Sequence, residues 1–169
     1  MATSKTTKAR RAAARKSAGA GAPQDAVALL KADHKEVEGW FDGYEDLTSD
    51  PEKSALAGKI CAALKVHTRI EEEIFYPAAR QATKDDDLLD EAVVEHAGAK
   101  DLIAQIEGMK AGDDLYDAKV KVLGEQIKHH AKEEEEELFP EARQAKMDLV
   151  GLGQRMAARK SELKAQLGG

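Results

Sequence analysis

Two segments of the chain set a glutamate four residues after a histidine and then run into an aromatic residue and a proline. They are HTRIEEEIFYP, His67 to Pro77, and HHAKEEEEELFP, His129 to Pro140. Aligned on their prolines, His67 falls on His130 and Glu71 on Glu134, sixty-three residues apart. Residues four apart on a helix lie about 40° apart around the axis and roughly 6 Å along it, so each pair can face one centre. Imidazoles with carboxylates form the donor set that binds iron, manganese or zinc. His34 and His96 repeat at nearly the same interval, sixty-two residues, so the chain reads as a helical hairpin written twice.

The elements that must carry these residues follow from helical periodicity. Pro23 suits a first helical turn, and Val27, Leu30, His34, Val37, Phe41 and Tyr44 then form one stripe. After LTSDPEKS, Asp50 as a cap and Pro51 open a second helix with Leu56, Ile60, Leu64, His67, Glu71, Ile74 and Ala78 on one face. Pro77 lies inside that pattern and is expected to kink the helix rather than end it. Asp85 to Asp87 start a third helix with Leu89, Val93, His96, Ile103 and Ile106 inward, closed by Gly112. Asp113 or Asp114 opens a fourth, with Tyr116, Val120, Leu123, Ile127, His130, Glu134 and Leu138 inward and Pro140 inserted. Short connections make the expected fold all-α, an antiparallel up-and-down four-helix bundle over 23–146. A weakly amphipathic stretch in 147–169 adds a short C-terminal helix.

Counting rise along antiparallel neighbours puts His34 and His67 at one height, and His96 and His130 at the same one. Four histidines and two glutamates then share one layer of the bundle. A single histidine on an apolar stripe is more often a satisfied core residue than a ligand. Buried glutamates are harder to excuse, because an unpaired buried carboxylate costs on the order of several kcal/mol. The candidate metal ligands are therefore His34, His67, Glu71, His96, His130 and Glu134. His129 points about 100° away from His130 and reads as surface, as do most neighbours of Glu134. Trp40, Phe41, Tyr44, Phe75 and Phe139 read as core, with Phe75 or Tyr76 also a candidate wall for a small-ligand pocket. Cys61 reads as a small core residue, and Asp33 as a solvated position in preference to a support for a ligand.

Composition bounds the rest. Aromatic residues make up 4% of the 169 residues and charged residues 34%, which fits a helical protein. Residues 1–22 are rich in Ala, Ser, Thr, Gly and Lys and read as a disordered basic tail. The first 24 residues hold six Lys or Arg and no acid, so the remainder carries −12 against −6 overall. An acidic body repels nucleic acid, leaving any such contact to the tail. The tail also has the Arg- and Ser-rich, acid-free look of an organelle transit peptide, a weaker reading than a disordered basic arm. No apolar run is long enough for a membrane span, no secretory signal is legible, and a single cysteine suits a reducing compartment, so a cytoplasmic location is expected.

The pieces ADHKEVEGWF, HTRIEEEIFYP, VVEHAGAK and HHAKEEEEELFP resemble the hemerythrin-like, or HHE cation-binding, family over about residues 25–145. The resemblance implies two iron ions joined by an oxo or hydroxo bridge and by Glu71 and Glu134. His34 and His67 would serve one iron, His96 and His130 the other. Oxygen-carrying members have a further histidine where this chain has Lys100, one turn after His96. That departure puts simple oxygen carriage in doubt and favours sensing or redox chemistry. Lys100 is expected near the open coordination position, steadying a bound anion; Glu38, its repeat equivalent, either pairs with it or donates a carboxylate. The expected function is binding of dioxygen, peroxide or nitric oxide for sensing, redox protection or storage, with an enzymatic outcome left open. The alternatives are an interaction protein whose basic tail touches nucleic acid or an acidic surface, and a ferritin-like iron-oxidising enzyme. The latter ranks low because Lys31, Leu64, Val93 and Ile127 stand three before the histidines, where Glu-x-x-His pairs would need glutamate.

Overall fold

Four of the five long helices begin on a side chain that accepts an otherwise orphaned backbone N–H. In the computed structural model, which describes residues 24–83 and 85–168, α1 (Ala26–Glu45) is capped by Asp25, and α2 (Asp50–Ile70) by Ser49 with Pro51 in its first turn. The cap of α2 is thus one residue earlier than Asp50. A π-turn, Glu71–Phe75, leads into α3 (Tyr76–Thr83), and Asp85 caps α4 (Asp86–Glu107). α5 (Tyr116–Glu133) passes through a second π-turn, Glu134–Leu138, into α6 (Phe139–Gln144), and α7 (Leu149–Leu167) follows with Asp148 as its cap. No strand occurs among the described residues. The basic tail expected over residues 1–22, and Pro23, lie outside them.

α1 packs on α2 and α5, and α4 packs on α5 and α2, so four rods close a ring whose short connections make neighbours antiparallel. α7 is the expected C-terminal helix. It lies in the groove between α1 and α2 and drives Met156 and Leu163 into the core. The link between α4 and α5 departs from expectation. α4 stops at Glu107 on Gly108, while Gly112 sits in the link at φ 93°, a conformation glycine adopts without steric cost. Asp113 accepts from the Lys110 N–H within the link, and Leu115, not an aspartate, precedes α5. Val93, expected inward, is 45% exposed.

Two apolar clusters fill the ring. One gathers Phe75, Phe139, Leu30, Ile70, Leu89 and Met156; the other gathers Phe41, Ile60, Leu64, Ile103, Leu123 and Cys61. The buried polar residues, His34, His67, His96, His130, Glu71 and Glu134 with Asp33 and Thr68, lie between them. No described helix is long and apolar enough to cross a membrane.

Gly153 fixes how closely α7 approaches the start of α1. A Cβ there would stand 2.3 Å from the Gln24 carbonyl oxygen and 2.8 Å from the Ala26 nitrogen, both backbone atoms that cannot swing aside. Gly153→Ala is expected to destabilise the fold by about 1–3 kcal/mol in denaturant unfolding. Gly43→Ala, in a helix with open space around it, should be neutral or stabilise by up to about 1 kcal/mol.

Candidate metal centre

A wide turn stands at the same place in both halves of the chain. The Tyr76 N–H bonds the Glu71 carbonyl and the Phe139 N–H bonds the Glu134 carbonyl, each reaching back five residues where an α-helix reaches four. Pro77 and Pro140 follow directly, and the extra residue makes room for a ring that lacks an N–H donor. The expected proline kink is therefore met by a π-turn. Its phase shift also explains the inward residues: Phe75 and Ala79 are fully buried, whereas Ile74 and Ala78, one residue earlier, are only partly so. Glu71 and Glu134 each begin such a turn.

The structure brings all six sequence-derived ligand candidates into one layer. His34 Nε2 and His67 Nε2 stand 3.2 Å apart, and His96 Nε2 and His130 Nε2 stand 3.1 Å apart. Donor atoms that share an ion at about 2.1 Å are separated by roughly 3.0–3.4 Å, so these spacings suit a cation between each pair. Glu71 Oε1 lies 3.1 Å from His67 Nε2 and Glu71 Oε2 lies 3.3 Å from His96 Nε2, so one carboxylate spans both pairs. Glu134 Oε2 is 3.2 Å from His34 Nε2 and 3.6 Å from His130 Nε2 and spans them again. Despite this closeness, Glu71 Oε1, Glu71 Oε2 and Glu134 Oε2 lack any aligned hydrogen-bond donor. Buried carboxylate oxygens without donors, aimed at facing imidazole nitrogens, are what a cation site leaves when the protein atoms are considered alone. Within this layer two groups of donor atoms are close enough to hold ions: His34, His67, Glu71 and Glu134 in one, Glu71, His96 and His130 in the other.

Every histidine of the layer turns its other nitrogen to a carboxylate. The pairs are His34 Nδ1 with Glu135 at 3.0 Å, His67 Nδ1 with Asp33 at 3.3 Å, His96 Nδ1 with Glu72 at 2.9 Å and His130 Nδ1 with Glu95 at 2.7 Å. An Nδ1–H donated to a carboxylate leaves the Nε2 lone pair free to ligate and fixes the ring. Sequence reasoning did not find Glu72, Glu95 or Glu135. It also placed Asp33 in solvent, whereas Asp33 is buried and accepts from Lys160 of α7 as well. Lys100 and Glu38 do not meet. α1 and α4 face each other across the ring, and Lys100 bonds both oxygens of Glu72 at 2.6 and 2.7 Å, one layer outside the histidines. Glu38 instead adds negative charge near Lys128 of α5.

The two halves differ at one inward position. Tyr76 Oη donates to Glu134 Oε1 at 2.8 Å and stands 3.2 Å from His96 Nε2 and 3.4 Å from His130 Nε2. Its counterpart sixty-three residues on, Phe139, stacks on His34 with ring centroids 5.9 Å apart. Phe75 packs edge-on against Phe139 at 5.8 Å in the apolar cluster. A cavity of about 10 Å³ beside the imidazoles is walled by Val37, Leu64, Ile127 and Ala131, and Phe75 does not line it. His129 is 63% exposed on its side chain, as its phase requires. Cys61 is buried, and burial pushes its thiol up to about 11, which suits a packing role.

Without a cation the layer holds protons. Burial lowers His67, but the Glu71 charge and the Asp33 contact outweigh it and raise the imidazole to about 10. Burial likewise opposes protonation of His34 and His96, and contacts with Glu134 and Glu71 respectively reverse it, so both are raised. Burial pushes Glu71 up, yet the charge on His67 and its contacts with His67 and His96 hold it well below the usual carboxylate range. Burial, then the charges of Glu71 and Glu134, keep the Tyr76 phenol protonated. A cation there would have to displace the protons favoured on His34, His67 and His96.

The family model described as Hemerythrin HHE cation binding domain matches residues 25–142. Among solved structures, a hemerythrin HHE cation binding domain-containing protein from Mycobacterium kansasii is 27% identical, with a TM-score of 0.72. The likeness covers 84% of this chain and 88% of that one. A search of curated proteins finds no match. The matched residues hold the whole histidine and glutamate layer and both π-turns, and the chain belongs to the hemerythrin HHE cation binding domain family.

Proposed function

We propose that this chain is a non-haem di-iron protein that binds dioxygen or a related small ligand such as peroxide or nitric oxide. The observation that carries the reading is the set of three donorless oxygens on Glu71 and Glu134 among four converging Nε2 atoms. His34 and His67 would hold one ion and His96 and His130 the other, with Glu71 and Glu134 shared. Iron in such a donor set supplies electrons to small oxygen or nitrogen ligands and an open coordination position.

The chain's own groups shape that chemistry. Asp33, Glu72, Glu95 and Glu135 hold the four imidazoles in orientation. On the side where Lys100 replaces a histidine, Tyr76 Oη supplies a further oxygen donor beside His96 and His130. The small cavity under Leu64 and Ile127 has room for about one water-sized molecule, which limits the site to ligands of very few atoms. Redox protection or sensing fits this closed geometry better than turnover of an organic substrate.

The purified chain is expected to carry about two irons, counted by elemental analysis. Glu71→Ala should weaken iron retention about 100-fold or more while the helical content persists. Full iron retention in that variant would defeat the proposal. Tyr76→Phe deletes one oxygen donor without changing the ring, so it should shift the visible absorption of the iron-loaded protein. An unaltered spectrum would remove Tyr76 from the coordination set.

Metal uptake also depends on pH in a definite direction. The metal-free imidazoles of His34, His67 and His96 hold protons above the ordinary histidine value of about 6.5, so a cation must displace them. Affinity for added ferrous iron should therefore rise with pH above that value, toward the limit of about 10 set by His67. Release of protons on binding, measured in weakly buffered solution, checks the same sign.

A further inference from the structure

Three of the four carboxylates that bond the imidazole Nδ1 atoms are backed by a lysine. Lys160 backs Asp33, Lys100 backs Glu72 at 2.6 Å, and Lys31 backs Glu135 at 3.6 Å. The fourth, Glu95 on α4, has no lysine or arginine partner among the described residues; its partners are His129 and His130. Where the others have an ammonium, α5 presents His129 and Glu133, another histidine–glutamate pair spaced four residues apart.

The geometry of this group approaches that of a ligand set. His129 Nε2 lies 3.0 Å from Glu133 Oε1 and 3.9 Å from Glu95 Oε1, and the three donor atoms all fall within 4.8 Å of one another. A first-row divalent ion with bonds of about 2.1 Å needs donors roughly 3.0–3.4 Å apart, a spacing that His129 and Glu133 already meet and that Glu95 would have to close to. The Glu95 and Glu133 side chains are only 25% and 26% exposed, and a single imidazole sits between their charges. His129, 63% exposed, leaves room for water at the remaining coordination positions.

We propose that Glu95, His129 and Glu133 form an outer site for a divalent transition-metal ion of the zinc or ferrous type. The site is separate from the buried layer and touches it through one carboxylate. Glu95 would bind the ion through Oε1 while Oε2 keeps its 2.7 Å contact with His130 Nδ1. The ion fills the position that lysine fills in the other three cases. The site faces solvent, so an incoming cation meets it before the enclosed histidines.

The test adds zinc to the full chain as purified, followed by dialysis and an elemental count of iron and zinc. About one zinc per chain is expected above whatever the buried layer holds, and His129→Ala and Glu133→Gln should each lose it while the iron count stays unchanged. Absence of that zinc in the unaltered chain, or its full retention in both variants, overturns the proposal. Iron reports on the buried layer and His129-dependent zinc on the outer group, so a failure of either reading is visible apart from the other.

Discussion

Two carboxylates at the centre of a helical bundle, close to four imidazoles and without a hydrogen bond to three of their oxygens, set the terms for the rest of the molecule. Glu71 is fully buried and Glu134 is 3% exposed. In a protein interior such groups are tolerable only beside compensating positive charge, whether proton or cation. The apolar clusters on either side exclude the water that would otherwise solvate them, so the same packing that stabilises the bundle raises the demand for a cation.

That demand is met in shells. The histidines answer the two glutamates, four carboxylates answer the histidines, and lysines on α1, α4 and α7 answer three of those carboxylates. Charge alternates outward from the centre, and each group is oriented by the next. α7 lies beyond the residues matched by the family model, yet it contributes Lys160 to this scheme and Met156 to the core. The C-terminal helix is therefore part of the apparatus that orients His67.

The four-helix architecture and the six inward donors were legible because both depend on period and interval. Buried stripes repeat every three to four residues, and the two halves repeat every sixty-two or sixty-three. What escaped was local or relational. A π-turn leaves no compositional mark beyond the proline it precedes, so Ile74 was read as inward where Phe75 is. Glu72, Glu95 and Glu135 sit beside stripe residues and look like ordinary solvated charges; only the packing of neighbouring helices shows that each meets an imidazole. The pairing of Lys100 was misjudged for the same reason, because sequence equivalence between Glu38 and Lys100 does not place α1 beside α4. Tyr76 was visible as an aromatic residue, but nothing in the sequence set its hydroxyl within 3.4 Å of two imidazoles.

The contacts that bind the layer together join residues far apart in the chain: His34 and Glu135 are separated by 101 positions, and Asp33 and Lys160 by 127. A nascent chain that has emerged only as far as α4 already displays His34, His67, Glu71 and His96 but lacks the partners that would hold His34 and Asp33 in place. The cradle is therefore complete only once α5 to α7 have been made. Any cation met before that point would find loosely held donors.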